Sequence, residues 1–289
     1  MDQSDVSGTG DARNWKLTLA YDGTDYRGWQ VQPGQPTIQG ELQAALGRVT
    51  GESPLPQGSG RTDAGVHALG QVASFVLEAA IPEASLRRAL NRTLPAAIRV
   101  LEAQAAPEGF HARHSALAKT YEYRVFPEKG NGGETLCPPF LARYVYAYPW
   151  PLSPERLNEA ARHFVGTHDF LSFAATDPDA AARGRIGEED EDGAAAVTAI
   201  RTVFASGWEE RRIEEGTLLV FRVRGNGFLH HMVRNLVGTM LDVGRGYYQP
   251  EVIPGMIAAR ARAAAGPTAP ARGLFLHSVE YPDKPASCG

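Results

Sequence analysis

The chain is poor in cysteine: Cys137 and Cys288 are its two thiols among 289 residues, and they lack the paired spacing of a metal site. We therefore expect reduced thiols and a cytoplasmic protein. No apolar run approaches the roughly 18–20 residues that span a bilayer, so we expect no membrane-spanning helix. Residues 1–14 have neither a basic start nor an apolar segment, which predicts a flexible tail rather than a secretory signal.

Motifs that hold cofactors are also missing from the sequence. It contains no His-Glu-x-x-His, no Cys-x-x-Cys and no acidic metal cluster. It has no Gly-x-x-x-x-Gly-Lys for a nucleotide phosphate and no Gly-x-Ser-x-Gly for a serine nucleophile. On a helix the adjacent His230 and His231 would point about 100° apart, which argues against their chelating one metal. We expect chemistry with no cofactor, no metal and no nucleotide.

The net charge of −4 is unevenly distributed along the chain. Seven acidic residues and two arginines lie between positions 177 and 192, so this segment contributes −5 and the remainder sums to +1. That remainder allows a basic face of the kind that binds nucleic acid. Residues 176–196 have no hydrophobic periodicity and are predicted to form a flexible acidic insertion.

Hydrophobic periodicity in the first half predicts the order β-α-β-β-α-β, which is that of a ferredoxin-like unit. The predicted strands are residues 15–21, 53–57, 71–77 and 98–103, and the predicted helices are residues 37–50 and 82–91. The second helix carries a proline near its first turn, where proline is well tolerated.

The second half of the chain predicts a similar unit. Ser153 and Pro154 are typical of an N-cap followed by a first helical residue. The other predicted elements are a helix at 230–243 and strands at 121–126, 197–208, 218–224 and 275–281. We therefore predict an α+β fold of two ferredoxin-like halves, residues 15–112 and 113–283. We expect them to pack side by side with a largely antiparallel mixed sheet and a central cleft.

A glycine-rich stretch at residues 58–68 carries a single carboxylate, Asp63, two positions after Arg61. The surrounding Thr-Asp-Ala-Gly is good turn chemistry, which gives Asp63 a purely structural interpretation. The functional interpretation is a nucleophile or general base, which needs a cationic partner to keep it ionised. Arg234 borders the apolar stripe of the helix 230–243 and is a candidate partner, unless its guanidinium extends into water.

Tyr121 shares one face of a predicted strand with Lys119 and Tyr123. Tyrosines on sheets mostly pack in the core or against cross-strand neighbours. A ring flanked by Lys119 and Arg124 is also suited to stacking an unpaired base. Both interpretations stay open from the residues alone.

Seven motifs occur in a fixed order along the chain. They are YDGT (21–24) with GWQ (28–30), GRTDAGVH (60–67), FHAR (110–113), KTYEY (119–123), GTHDF (166–170) with SF (172–173), FLHHMVRN (228–235) and GLFL (273–276). With these motifs the chain resembles the tRNA pseudouridine synthase A family over nearly its full length.

The resemblance implies a cofactor-free homodimer that converts uridine to pseudouridine at positions 38, 39 and 40 in the anticodon stem-loop of tRNA. It implies that Asp63 is the nucleophile and that Arg234 pairs with it. It further implies that Tyr121 packs on the target base and that Arg61 helps to extrude that base.

The acidic segment 176–196 departs from the family's pattern. The family usually runs shortly from the Ser-Phe motif to an Arg-Thr strand, which is matched here by Arg201 and Thr202. An acidic loop repels phosphates, which argues against an RNA contact at this place.

The reaction itself conserves all atoms, because the N1–C1′ bond breaks and a C5–C1′ bond forms. A carboxylate suits it, being nucleophilic yet a tolerable leaving group, and both base C6 and sugar C1′ stay open as the atom attacked. A non-catalytic structured-RNA-binding module is the alternative and would not need Asp63. A glycosidase or nucleosidase normally needs two acids framing the bond, and the local sequence offers no second acid near Asp63.

Overall fold

The computed structural model describes residues 12–127, 136–175 and 198–282. The chain divides into two compact units, unit 1 with Met1–Leu117 and Leu276–Gly289, and unit 2 with Ala118–Phe275. The predicted acidic insertion, Cys288 and residues 1–11 of the predicted tail lie outside the described residues. Within the described residues Cys137 is a free thiol. The predicted domain boundary after residue 112 stays a prediction.

Unit 1 is built on antiparallel strands. Strand β1 (Arg13–Tyr21) is followed by helix α1 (Ile38–Thr50), the two-residue strand β2 (Gln57–Gly58), strand β3 (His67–Leu77), helix α2 (Glu83–Thr93) and strand β4 (Ile98–Ala105). β1 pairs with β3 on one side and β4 on the other, and β2 pairs with β3. The predicted order of elements is confirmed in unit 1, although the predicted strand 53–57 is reduced to Gln57 and Gly58.

The local rules used on the sequence account for these elements. Alternate residues of β1 are buried, which places the apolar face of the strand in the core. Helix α1 begins where the Thr37 hydroxyl accepts a hydrogen bond from the amide of Gly40. It ends at Gly51, whose φ of +80° lies in the left-handed region that glycine adopts at little cost.

Unit 2 combines a mostly antiparallel sheet with short helices. Its elements are β5 (Ala118–Pro127), α3 (Pro139–Ala142), β6 (Tyr146–Tyr148), α4 (Pro154–Arg162), β7 (Gly166–Asp169), β8 (Ile200–Ile213), β9 (Gly216–Gly225), α5 (Met232–Gly244) and α6 (Ile253–Ala258). The antiparallel order is β5-β9-β8-β7, and β6 pairs with β5 in parallel. The last strand, β10 (Leu274–Glu280), lies mostly in unit 1, where it pairs with β3.

Both units therefore mix helices with a mostly antiparallel sheet, which confirms the α+β class. The ferredoxin-like description of each half and their packing about a central cleft stay predictions. Within the described ranges, no helix is long and apolar enough to cross a bilayer.

One face of β5 holds a buried carboxylate among three arginines. Glu122 is 1% exposed and contacts Arg124 at 2.7 Å, Arg222 at 2.9 Å and Arg211 at 3.3 Å. Burial by itself would raise the pKa of Glu122, but hydrogen bonds and charge from these arginines lower it from its ordinary 4.5 to about 2. The cluster fixes strands β5, β8 and β9 together.

We expect Glu122→Gln to lower the free energy of unfolding at pH 7 by on the order of 3 kcal/mol. The folded-state pKa is below the unfolded one, so the ionised form stabilises the fold above about pH 4.5. That stabilisation is lost as the pH falls towards 2, and the difference between wild type and variant should shrink over this range. Urea unfolding at pH 7, 5, 4 and 3 measures it.

Glu209→Gln is the matched control, because Glu209 belongs to the same cluster but is 48% exposed. It should cost less than about 1 kcal/mol. A loss for Glu122→Gln that is equal at pH 7 and pH 3 would contradict the proposed ionisation of Glu122.

Candidate active site

Asp63 lies half-buried in the loop between β2 and β3 of unit 1, with Arg61 exposed in the same loop. The amide of Val66 donates to the carbonyl of Asp63 at 3.1 Å, which closes a turn. Gly65 has φ +76° in this turn, a conformation that side chains disfavour. The predicted turn chemistry is confirmed, and the turn also presents one carboxylate on a defined backbone.

The segment between β1 and α1 forms backbone hydrogen bonds with this loop. The amide of Trp29 donates to the carbonyl of Thr62 at 3.0 Å, and the amide of Gly65 donates to the carbonyl of Tyr26 at 3.3 Å. A Cβ at Gly28 would lie 2.5 Å from the Thr62 oxygen. Only glycine permits this approach, so the first and second sequence motifs form one structural unit.

Buried polar side chains of β1 and β3 also form hydrogen bonds with this loop. The Tyr21 and Thr62 hydroxyls lie 2.8 Å apart, and the Gln71 amide donates to the carbonyl of Gly60 at 2.9 Å. The Ser59 hydroxyl donates to the Gln71 side-chain oxygen at 2.7 Å. Burial raises the pKa of Tyr21 to about 12, and its hydrogen bonds with Thr62 and Gln71 act in the opposite direction. The phenol is therefore protonated at neutral pH.

The sequence-based prediction missed this network. A signal was present, since Gln71 begins an otherwise apolar run, and a fully buried glutamine must find hydrogen-bond partners. Its partners could not be named, because Tyr21 is 50 positions away in the sequence.

A buried histidine also ties the two motifs together. His67 is 1% exposed, and its Nδ1 accepts a hydrogen bond from the amide of Gly23 at 3.2 Å. The same nitrogen lies 3.2 Å from an Asp22 carboxylate oxygen. A Cβ at Gly23 would lie 1.9 Å from the carbonyl oxygen of Val66, so this approach also requires glycine.

Tyr121 lies on β5 in unit 2 and is 8% exposed. Its ring meets the Phe228 ring edge-on, with centroids 5.1 Å apart and planes at 80°. Val223 lies opposite it on β9. The side chain therefore makes the core contacts that the structural interpretation predicts. An edge-on aromatic pair also offers a rigid apolar surface.

Arg234 lies half-buried in the first turn of α5 in unit 2. Its Nε donates to the carbonyl of Ala269 at 2.8 Å, and the Ala269 amide donates to the Arg234 carbonyl at 3.1 Å. A cation at a helix N-terminus is disfavoured by the helix dipole. Electrostatic stabilisation of α5 therefore does not explain why an arginine occupies this position.

The prediction that His230 and His231 lie on a helix is wrong. Helix α5 begins at Met232, and His231 has φ +57°, so both histidines precede the helix. Their rings face each other with centroids 3.9 Å apart instead of diverging by 100°. The left-handed backbone of His231 turns the two side chains together, which helical periodicity does not foresee.

The predicted site residues are thus distributed over both units. Asp63 and Arg61 share one loop of unit 1, whereas Tyr121 and Arg234 belong to unit 2. The pairing of Asp63 with Arg234 stays a prediction, as does the expectation that no metal or cofactor is needed.

The family model and the relatives that match this chain name the same kind of enzyme. The sequence model of the family described as tRNA pseudouridine synthase matches residues 18–115 and 160–282. The chain is 47% identical to tRNA pseudouridine synthase A of Solibacter usitatus, over 93% of this chain and 100% of the relative. It is 44% identical to the enzyme of that name from Moorella thermoacetica and 41% identical to that of Bacillus pumilus, in both cases over 92% of this chain and 98% of the relative.

Proposed function

Because the chain belongs to the tRNA pseudouridine synthase family, we propose that Asp63 is the nucleophile of its reaction and that it acts at positions 38, 39 and 40 of the tRNA anticodon stem-loop. The conversion of uridine to pseudouridine in tRNA follows from the family. The assignment of Asp63 as the nucleophile is supported by the structure of its loop. Hydrogen bonds and close glycine contacts hold the loop on two sides, and its one carboxylate is only half-buried.

The chemistry asks for an oxygen that forms a bond to the substrate and later gives it up. Asp63 would add to C6 of the uracil or to C1′ of the ribose while the N1–C1′ bond breaks. The uracil would then turn, C5 would bond to C1′, the bond between the Asp63 oxygen and C1′ or C6 would break, and the C5 proton would leave as N1 gains one. A carboxylate is a sufficient nucleophile and leaving group for this sequence without a redox step.

The other predicted residues have separate roles in this proposal. Arg234 would keep Asp63 ionised and oriented. Tyr121 would pack on the detached uracil, for which the rigid Tyr121–Phe228 pair is suited. Arg61, exposed beside Asp63, would help to extrude the base, a step that costs a few kcal/mol.

We also propose a cytoplasmic, RNA-binding homodimer in which the two halves of each chain pack side by side around a central cleft. The non-catalytic RNA-binding alternative is not favoured, because the matched relatives are named as synthases. No observation favours a glycosidase or nucleosidase either.

Mapping pseudouridine in tRNA from cells that lack this protein tests the proposed specificity. We expect pseudouridine to disappear at positions 38, 39 and 40 and to return when the wild-type chain is supplied. Pseudouridines elsewhere in the same tRNAs are the internal control. Loss at other positions would overturn the anticodon stem-loop assignment, and an unchanged map would overturn the proposed function.

A further inference from the structure

We propose that Tyr21 and Gln71 are positioning residues that set the direction of the Asp63 carboxylate, Gln71 by fixing the backbone at Gly60 and Tyr21 by fixing the side chain of Thr62. This inference rests on the proposed role of Asp63 as the nucleophile. It assigns the two side chains a part in turnover and not in RNA binding.

The geometry of the loop singles out these residues. Gln71 is fully buried on β3 and holds the carbonyl of Gly60, while Tyr21 is 4% exposed at the end of β1 and holds the hydroxyl of Thr62. Thr62 is 6% exposed and directly precedes Asp63. The loop is therefore fastened to two strands just before the residue that must be aimed.

The hydrogen-bond directions form one consistent chain. The Gln71 side-chain oxygen accepts from the Ser59 hydroxyl at 2.7 Å and from the Val72 amide at 3.2 Å. Its nitrogen must then face the carbonyl of Gly60 and, at 3.4 Å, the oxygen of Tyr21. The Tyr21 oxygen accepts this bond, so its own proton is available to Thr62. A phenylalanine would fill the same volume but could not complete the chain.

A small movement of Asp63 is enough to slow the reaction. Misplacement of a reacting group by about 1 Å costs on the order of 10²-fold in rate. The polar partners of Tyr21 are buried, so water cannot replace a lost bond without a shift of the loop. We therefore expect the loss to fall on kcat and not on KM.

A double-mutant cycle tests the proposal with the full-length protein and an anticodon stem-loop RNA. Tyr21→Phe and Thr62→Val each remove one partner of the same hydrogen bond. Each should lower kcat by roughly 10–100-fold and leave KM within about twofold. The double variant should be no slower than Tyr21→Phe, because that single variant already loses both the Tyr21–Thr62 bond and the Gln71–Tyr21 bond. Thr62→Ser, which keeps the hydroxyl, should restore most of the rate lost in Thr62→Val.

Tyr148→Phe is the control, because Tyr148 is a buried tyrosine of unit 2 with 6% exposure and no part in the proposed machinery. It should leave kcat unchanged. Rates are referred to folded enzyme measured by circular dichroism, so that a purely structural role lowers the melting temperature without lowering kcat.

A second measurement needs no turnover. Backbone amide hydrogen exchange in residues 58–67 should be at least about tenfold faster in Tyr21→Phe than in wild type, and unchanged in Tyr148→Phe. Wild-type kcat and KM for Tyr21→Phe, effects that multiply in the double variant, or unaltered exchange would each overturn the positioning role. Inactive wild-type enzyme would instead overturn the proposed function, and the exchange experiment would still decide whether Tyr21 holds the loop of Asp63 in place.

Discussion

Asp63→Asn is expected to lower pseudouridine formation by at least about 10³-fold while tRNA affinity stays within about twofold. Asparagine has nearly the same size and can keep the loop folded, but it lacks an anionic oxygen able to form and release a bond with the substrate. Tritium release from C5-labelled uridine in tRNA measures turnover, and filter binding measures affinity. Both are needed, because a lost rate with retained binding separates chemistry from recognition.

Glu108→Gln is the matched control for Asp63→Asn, since it makes the same change of charge at an exposed site of unit 1. It should leave tritium release within about twofold. Turnover by Asp63→Asn at the wild-type rate would show that Asp63 is not the nucleophile. Retained RNA binding by a wild-type protein that releases no tritium would favour the non-catalytic RNA-binding module.

Gly28→Ala is expected to lower kcat by on the order of 100-fold through a contact with the loop of Asp63. Gly28 has φ +89°, and an added Cβ would lie 2.5 Å from the carbonyl oxygen of Thr62. That oxygen also accepts the amide hydrogen of Trp29 and cannot move without breaking the bond. The loop must shift, and Asp63 moves with it.

Gly34→Ala separates this contact from simple backbone strain. Gly34 has φ +69°, but nothing lies within 4 Å of an added Cβ. It should cost about 1–2 kcal/mol of unfolding free energy with kcat unchanged, whereas Gly28→Ala should lose both stability and rate. Tritium release and urea unfolding of the two variants provide the comparison. Equal kcat in both would contradict the positioning role of the Gly28 contact.

Much of the secondary structure could be predicted because its causes are local. Alternating burial in β1, the Thr37 cap of α1 and the Ser153 cap of α4 are all written within a few residues of chain. The elements α3, β6, β7 and α6 were missed, since three to six residues give no readable period. Strand β8 continues to Ile213, beyond the predicted end at 208, because pairing with β9 extends a charged, exposed stretch that periodicity does not mark.

The candidate site also combines features that are local in the sequence with contacts between distant residues. The α+β class, the family and the loop that carries Asp63 could be recognised from the order of residues, because glycine spacing and a lone carboxylate are local features. The contacts that hold this loop became known only from the folded chain. Tyr21 meets Thr62 across 41 positions and Gln71 across 50, and such meetings depend on which strands pair and in what register. The register between two paired strands depends on which face of each strand is buried in the core. It therefore cannot be deduced from the sequence of one segment alone.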